Sequence, residues 1–365
     1  MGGRPPSQVV GDLRASAGEL YCAVNFLTKE WLAPVRQRLT DISQGRDSTL
    51  RSKLVNDPIW STLELADHEV LLLDSPLIQR MRGVRQLGLA HLVFPGANHD
   101  RFEHICGVVE SSDRMFKALQ ANIVGRNKRT GGRGLPSFTE QGSKLVRLAA
   151  LLHDVGHGPF SHAVEPVIER RYEKDFRAFS NQLKEAVNLD AKVAPAEAIS
   201  ALIVLSEAMA PILQDKKFSV GIDDVNEYQL RIAILILGAR SYDFEACFSA
   251  IISSQVDSDK LDYMARDALH TGMPIAFDTE RLIRKLEVVQ CTPDNLPSGT
   301  GQAVNVAFAR QCPTGAYSDL AVTASGVGAL EQMLIGRAFL YDRLYHHHKV
   351  RAADAMAQRL YPEIL

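Results

Sequence analysis

The chain has 365 residues, of which 46% are hydrophobic and 23% charged, with a formal net charge of −2 at pH 7 and a pI near 6.6. That is ample material for a buried core, and the near-neutral balance gives no overall drive toward nucleic acid or an anionic membrane. The longest apolar runs, such as Ile232–Leu237, are far too short to span a bilayer.

Five cysteines (Cys22, Cys106, Cys247, Cys291 and Cys312) are odd in number, widely spaced and without a CxxC. They predict reduced thiols in a cytoplasmic protein rather than a disulfide frame or a zinc knuckle. The first residues, Met1-Gly-Gly-Arg-Pro-Pro, are not followed by the apolar segment of a signal peptide.

Residues 1–50 read as a helical extension. Val24, Leu27, Trp31, Leu32, Val35 and Leu39 form a helical stripe suited to packing or subunit contact. Ser43–Ser52 is polar and reads as a linker. In Lys53–Leu65, apolar and β-branched residues alternate around Asn56-Asp57-Pro58, which predicts a short extended segment or turn. Helices then follow one another. The first covers Val70–Arg85, with a break at Pro76, and the next Arg101–Leu119, holding Glu103 and His104.

Residues 121–143 are rich in glycine and basic side chains and read as a surface loop insertion. Arg126, Lys128, Arg129 and Arg133 read there as a solvated charge run. Helices are expected again across 163–210 and 228–255, and Asp257–Asp267 places Asp259, Asp262 and Tyr263 within one or two turns. Two β-leaning runs, Leu286–Gln290 and Ala303–Ala309, flank a Pro/Gly/Ser-rich turn and predict a small hairpin. The tail Gly326–Ala357 reads as helix, with His346-His347-His348 inside its amphipathic pattern. The expected fold is all-α. It has an extension over 1–50, a helical-bundle core over 51–275, and a helical region with a β-hairpin over 276–365 that completes the active site.

The stretch Leu145–His162, LVRLAALLHDVGHGPFSH, carries the chemistry. Leu145, Leu148, Ala149, Leu152 and Val155 form an apolar stripe that ends in His153-Asp154, and Gly156, Gly158 and Pro159 stop the helix at once. His157 and His162 lie in or after the loop. An ionised Asp beside a His at the end of a buried helix is costly unless compensated. A divalent metal compensates, because imidazole and carboxylate together suit Zn, Mn, Fe or Ni. Alone, the pair reads better as a helix-end Asp paired with a structural His. The weighing changes with His104 and Asp259 on two further helices, which complete the order H…HD…D.

That order resembles the signature of the HD-domain metal-dependent phosphohydrolases. The runs NDPIW, LLLDSPLIQRMRGVRQLG, VFPGANHDRFEH, LLHDVGHGPFSH, DSDKLDYMARD and RAFLYDRLYHHHK, across residues 53 to about 354, are similar to the deoxynucleoside triphosphate triphosphohydrolases within that family. The resemblance implies a divalent transition metal held by His104, His153, Asp154 and Asp259. It implies catalytic roles for His157, His162 and Glu165 beside Asp154. It places Arg101, Lys260 and Arg337 at the triphosphate, Gln86 and Leu87 at the sugar and base, and Tyr263, Asp267 and Tyr345 at the deoxyribose. Magnesium would accompany the nucleotide phosphates.

It further implies an activating nucleotide between subunits of a homo-oligomer, dimer or tetramer, at Lys53, Asn56, Asp74, Gln79, Arg82 and Arg281. Asp74 and Arg82 read equally as a surface ion pair, worth little by itself. Nucleotide housekeeping and antiviral defence are both compatible with such an enzyme. One departure stands out: the family's His-Glu ahead of Ile-Ser is here Ala196-Glu197, followed by Ala198-Ile199-Ser200. Three readings follow. They are a dNTP triphosphohydrolase, an HD-type nuclease or phosphodiesterase, and a nucleotide-sensing module with weak catalysis. The acidic pI disfavours the nuclease, and single-stranded nucleic acid is not the favoured partner.

Overall fold

In the computed structural model, which describes residues 4–129, 138–187, 189, 193–239, 246–291 and 317–363, two N-terminal helices lead into the chain. The first, α1 (Pro6–Ser16), opens on proline, whose missing N–H has no helical partner to lose. The second, α2 (Gly18–Ser43), buries Leu20, Val24, Thr28, Leu32, Val35 and Leu39. This is the expected stripe with one correction: Leu27 points outward and is 44% exposed.

The alternating segment after the linker is a hairpin of β1 (Lys53–Asp57) and β2 (Ser61–Leu65), in antiparallel register from Lys53↔Leu65 to Asp57↔Ser61. Asp57 Oδ1 accepts the backbone N–H of Ile59 and of Trp60, both at 2.8 Å, which closes the turn. Pro76 divides the next helix into α3 (Asp67–Leu73) and α4 (Pro76–Gln79), and a 3₁₀ turn at Arg80–Gly83 follows.

The long helix α5 (Arg101–Arg129) overturns part of the loop expected at 121–143. The helix runs on through residues 121–129, and its buried stripe of Phe116, Leu119 and Ile123 continues into that stretch. Arg133 and the glycines around it lie outside the described residues. Next, α6 (Glu140–Leu152) starts where Thr139 Oγ1 accepts the Gly142 N–H at 3.1 Å, and it is buried along Leu145, Val146, Leu148, Ala149, Ala150, Leu151 and Leu152. After it come α7 (Glu165–Arg171), α8 (Glu173–Val187), α9 (Pro195–Val204), α10 (Ala210–Leu213), α11 (Val225–Leu237), α12 (Ala246–Ile252) and α13 (Ser258–Thr271). The core forms where α6 packs against α5, α11 and α12, and where α5 packs against α13.

Beyond α14 (Thr279–Arg284), β3 (Leu286–Cys291) pairs antiparallel with β4 (Tyr317–Val322). The strand at 286–290 is where it was expected, but its partner is Tyr317–Val322; the run Ala303–Ala309 lies outside the described residues. The tail is not one helix. The last turn of α15 (Val327–Leu340) widens into a π-helical turn at Tyr341–Tyr345, and α16 (His348–Leu360) starts afresh. The triple histidine therefore straddles a break, with His346 and His347 between the two helices. Among the described residues the fold is all-α apart from two small two-stranded sheets. No helix among the described residues is long and apolar enough to cross a membrane.

Two expected outcomes follow from this packing. A Cβ built on Gly107 of α5 would fall inside van der Waals contact of Asp262 Oδ1 and Arg266 Nη2 on α13. Gly107→Ala should therefore cost at least about 1–3 kcal/mol, read as a lower denaturation midpoint; an unchanged midpoint would contradict the close crossing. Burial pushes the Cys106 thiol up to about 12, while Cys22 is exposed. Iodoacetamide at pH 8 should alkylate Cys22 in the native protein and reach Cys106 and Cys247 only after unfolding, as peptide mapping would show.

Candidate metal centre and active-site cavity

Three helix ends supply the centre. His104 sits in the first turn of α5, His153 caps the C-terminus of α6, and Asp259 is the second residue of α13. His104 Nδ1 lies 2.7 Å from Asp262 Oδ2. A carboxylate only accepts, so the proton is on Nδ1, and Nε2 faces Asp259 Oδ1 at 3.0 Å and Asp154 Oδ2 at 4.0 Å. His153 is oriented in the same way: Nδ1 lies 2.7 Å from the Ala150 carbonyl. Its Nε2 is buried without a hydrogen-bond partner, 3.9 Å from Asp259 Oδ1 and 3.8 Å from Asp154 Oδ1.

A buried, orphaned imidazole nitrogen aimed at two carboxylates is a donor set that could hold a divalent ion, with both rings fixed from behind as metal-binding histidines usually are. The ligand atoms of His104, His153 and Asp259 lie within 4.8 Å of one another. Asp154 adjoins this group with both oxygens already engaged, Oδ2 by Arg101 Nη1 and Oδ1 by His157 Nε2 at 3.1 Å.

Charges tune the group. Burial would raise the Asp154 carboxyl, but Arg101, then His157 and His153, hold it well below the ordinary carboxylate range. Burial would likewise lower the His104 imidazole, yet the carboxylates of Asp259 and Asp262 lift it to about 10. A bound ion and a proton compete for such a nitrogen.

The loop after His153 brings the other expected catalytic residues together. Glu165 Oε1 lies 3.1 Å from His157 Nδ1 and 2.8 Å from His162 Nδ1. Burial opposes ionisation of Glu165, and the two imidazoles outweigh it, holding the carboxyl far below its usual range. The His157 imidazole is pushed down by burial and by Arg101. His162 is 71% exposed. Phe160 and Ser161 both have positive φ, 62° and 56°, a strained turn of a kind concentrated at functional sites. The strain places Ser161 Oγ where it accepts from Arg101 Nε at 2.8 Å and donates to the Gln86 carbonyl at 3.2 Å.

A cavity of about 410 Å³ opens beside the centre, with Asp259 and His162 in its wall. Among the residues expected at a substrate, Gln86, Leu87, Lys260, Tyr263, Asp267, Arg337 and Tyr345 all line it. Arg101 does not; it is 2% exposed and lies behind Asp154. Asp267 is locked from both sides, taking His99 Nε2 at 2.8 Å on Oδ1 and the Tyr345 hydroxyl at 2.6 Å on Oδ2. Lys260 Nζ pairs with Asp257 at 2.7 Å.

The residues expected to bind an activator lie elsewhere. Asp74 pairs with Lys53 at 2.7 Å and with Arg38 at 3.7 Å, not with Arg82, which instead donates to Gln79 Oε1 at 3.0 Å and covers the Phe102 ring. Asn56 is exposed, and Arg281 bonds the Ser325 carbonyl at 3.1 Å. Ala196 lies on α9 against the catalytic turn; its carbonyl occupies the place of a Gly156 side chain.

Several functional side chains escaped the reading of the sequence. Asp262 was legible as a same-face neighbour of Asp259, three residues on, and Arg266 as its i+4 partner. Trp60, Asp57, His99 and Arg80 act across long stretches of chain, and no local signal marks them.

The HD domain family profile matches residues 101–208, and an HD associated region matches 314–365. The chain is 28% identical over 366 residues to the deoxynucleoside triphosphate triphosphohydrolase SAMHD1 of Danio rerio, covering 93% of this chain and 50% of that protein. It is 28% identical over 323 residues to the protein of the same name in Homo sapiens, covering 83% and 43%. A solved structure of a hypothetical protein from Aquifex aeolicus superposes with a TM-score of 0.60 at 27% identity, covering 86% of this chain and 65% of that one. The chain spans about half the length of the curated relatives it matches. With the H…HD…D residues of three helices gathered close together, the chain carries an HD domain and is similar to HD-domain dNTP triphosphohydrolases.

Proposed function

We propose that the chain is a metal-dependent phosphohydrolase that cleaves deoxynucleoside triphosphates to deoxynucleoside and inorganic triphosphate. One observation carries the reading: the cavity joins a cationic wall, Lys260 and Arg337, to the ligand Asp259 and to a sugar-sized polar end at Asp267, Tyr263 and Tyr345. His104, His153, Asp154 and Asp259 would hold the ion, which supplies Lewis-acid polarisation of a phosphoryl oxygen and a lowered pKa for water.

The chain's own residues do the rest. Lys260 and Arg337 neutralise phosphate charge, the main demand of phosphoryl transfer. Arg101 works through Asp154, setting its carboxylate rather than touching substrate. Glu165 accepts from Nδ1–H of His162, which leaves Nε2 of this exposed imidazole to carry a proton at the cavity. Asp267, with each oxygen held by a donor, presents its remaining lone pairs to a hydroxyl, and the Tyr263 ring fills the space a 2′-hydroxyl needs.

Ala196 favours the weaker-catalysis reading, but His157 and His162 already share Glu165, so proton transfer has carriers without a histidine at 196. Activation by a dNTP bound at Lys53, Asn56, Asp74, Gln79, Arg82 and Arg281 in a homo-oligomer belongs to the same proposal.

His153→Ala combined with Asp154→Ala should abolish bound transition metal, measured per chain by elemental analysis, while far-ultraviolet circular dichroism stays helical. Full occupancy in that double variant would reject the ligand set. Incubation with dNTPs should release inorganic triphosphate, with ribonucleotides slower by about ten- to a hundredfold, as one steric or polar mismatch gives. Pyrophosphate as product, equal rates on ATP and dATP, or preferential cleavage of single-stranded DNA would count against it.

A further inference from the structure

The N-terminal helices have no part in the cavity, yet one contact carries them to the catalytic turn. Arg80 follows α4, and its guanidinium reaches two backbone carbonyls of that turn. It donates through Nη1 to His157 O at 2.8 Å and through Nη2 to Val155 O. Among the described residues no carboxylate lies within ion-pair distance of it. Its Nε is buried without a hydrogen-bond partner, and the centre of the guanidinium stands 4.6 Å above the indole of Trp31, on α2. Burial lowers its pKa to about 10.

A partly buried cation needs compensation. Here it comes from the carbonyl dipoles of the turn after α6, from the face of an aromatic ring and, beyond ion-pair distance, from the Asp154 carboxylate. The opposite side of the turn is also held. Gly156 N–H donates to Ser200 Oγ at 2.8 Å, and a Cβ on Gly156 would approach the Ser200 nitrogen to 2.6 Å. The turn is thus gripped at 155, 156 and 157 by two separate elements, and the His157 imidazole projects from it between Asp154 and Glu165. In turn, α2 is seated on α4 and α9.

We propose that Trp31 and Arg80 form a brace through which the N-terminal helices set the position of the catalytic turn, making Arg80 a positioning residue for His157. The brace follows from the geometry alone; its effect on turnover rests on the phosphohydrolase reading above. Lysine cannot replace the planar fork, because it offers neither two divergent donors in one plane nor a face to stack.

The test uses the full, metal-loaded chain with R80A, R80K, W31A, W31F and the W31A/R80A double variant. Hydrogen exchange followed by mass spectrometry should show faster exchange in peptides covering 153–161 in R80A and W31A, with peptides of α11 unchanged. On the best dNTP, R80A should lower kcat by about 10–100-fold, the scale of a small misplacement, with KM and bound metal within about twofold of wild type. W31A should lose about 2–30-fold, W31F less, and the double variant should be no slower than R80A, because both act through one contact.

Independent, multiplicative losses in the double variant, loss of bound metal, or exchange that rises evenly over the whole chain would overturn the brace. So would unchanged exchange at 153–161. If R80A does not fold, W31A and R80K carry the same comparison. Faster local exchange in a protein that hydrolyses no dNTP would uphold the brace and reject the substrate reading.

Discussion

Asp262 is the constraint on which the site depends. It is fully buried and accepts from His104 Nδ1, from Trp60 Nε1 at 2.7 Å, and from Arg266 through Nε at 2.9 Å and Nη2 at 2.8 Å. Removing such a carboxylate from water carries a penalty of several kcal/mol, which only a full set of donors offsets. Burial works against the charge, and Arg266 first, then His104, keep the carboxyl far below its usual range. Arg266 continues to Asp57 at 2.8 Å, and Asp57 in turn closes the β1–β2 turn. One buried anion thereby ties the hairpin, α5 and α13 to the tautomer of the ligand His104. Gly107 exists in that crossing because any side chain there would displace the Asp262–Arg266 pair.

The same logic repeats on the far side of the centre. Arg101 is buried with its guanidinium shared between Asp154 and Ser161, so its charge is spent on holding a ligand rather than on a bound anion. The cavity is left with Lys260, partly neutralised by Asp257, and with Arg337, raised above its ordinary range by the neighbouring tyrosines Tyr341 and Tyr263 despite some burial. In the proposed reading a polyanion in the cavity would meet Arg337 on α15 and Lys260 on α13, while Arg101 stays with Asp154, so substrate charge and metal charge would fall to different residues.

Much of this was legible in the residues. The H…HD…D order, the helix stop at Gly156–Pro159 and the stripes of α2, α5 and α6 gave the helices and the four candidate ligands, because periodicity and glycine/proline chemistry are local. What was not legible depended on distance along the chain. Arg101 reads as a phosphate cation until its burial behind Asp154 is seen. Asp74 pairs with Lys53, 21 residues away, instead of the nearer Arg82. At 121–143 glycine and basic composition predicts a loop, whereas the apolar spacing of Leu119 and Ile123 continues the helix, which ends at Arg129. The pairing of β3 with Tyr317–Val322 has no local signal, because loop composition does not encode loop length.

Position 196 shows how packing revises a motif. The N-terminus of α9 lies so close to the catalytic turn that the Ala196 carbonyl and the Ser200 amide fill the space beside Gly156. Ala196 is buried in that contact, so residue 196 is first part of a wall that sets the turn. Glu197 follows it, and its carboxyl is raised, by the protein packed around it and then by the carboxylates of Asp259 and Glu165, although part of the side chain remains open to water. Glu197 thus lies within electrostatic reach of both Asp259 and Glu165. A chain with alanine at 196 keeps both the grip on the turn and the acidic flank. In the proposed mechanism what it lacks is one imidazole near that turn, which would change the number of proton carriers and not the architecture that holds them.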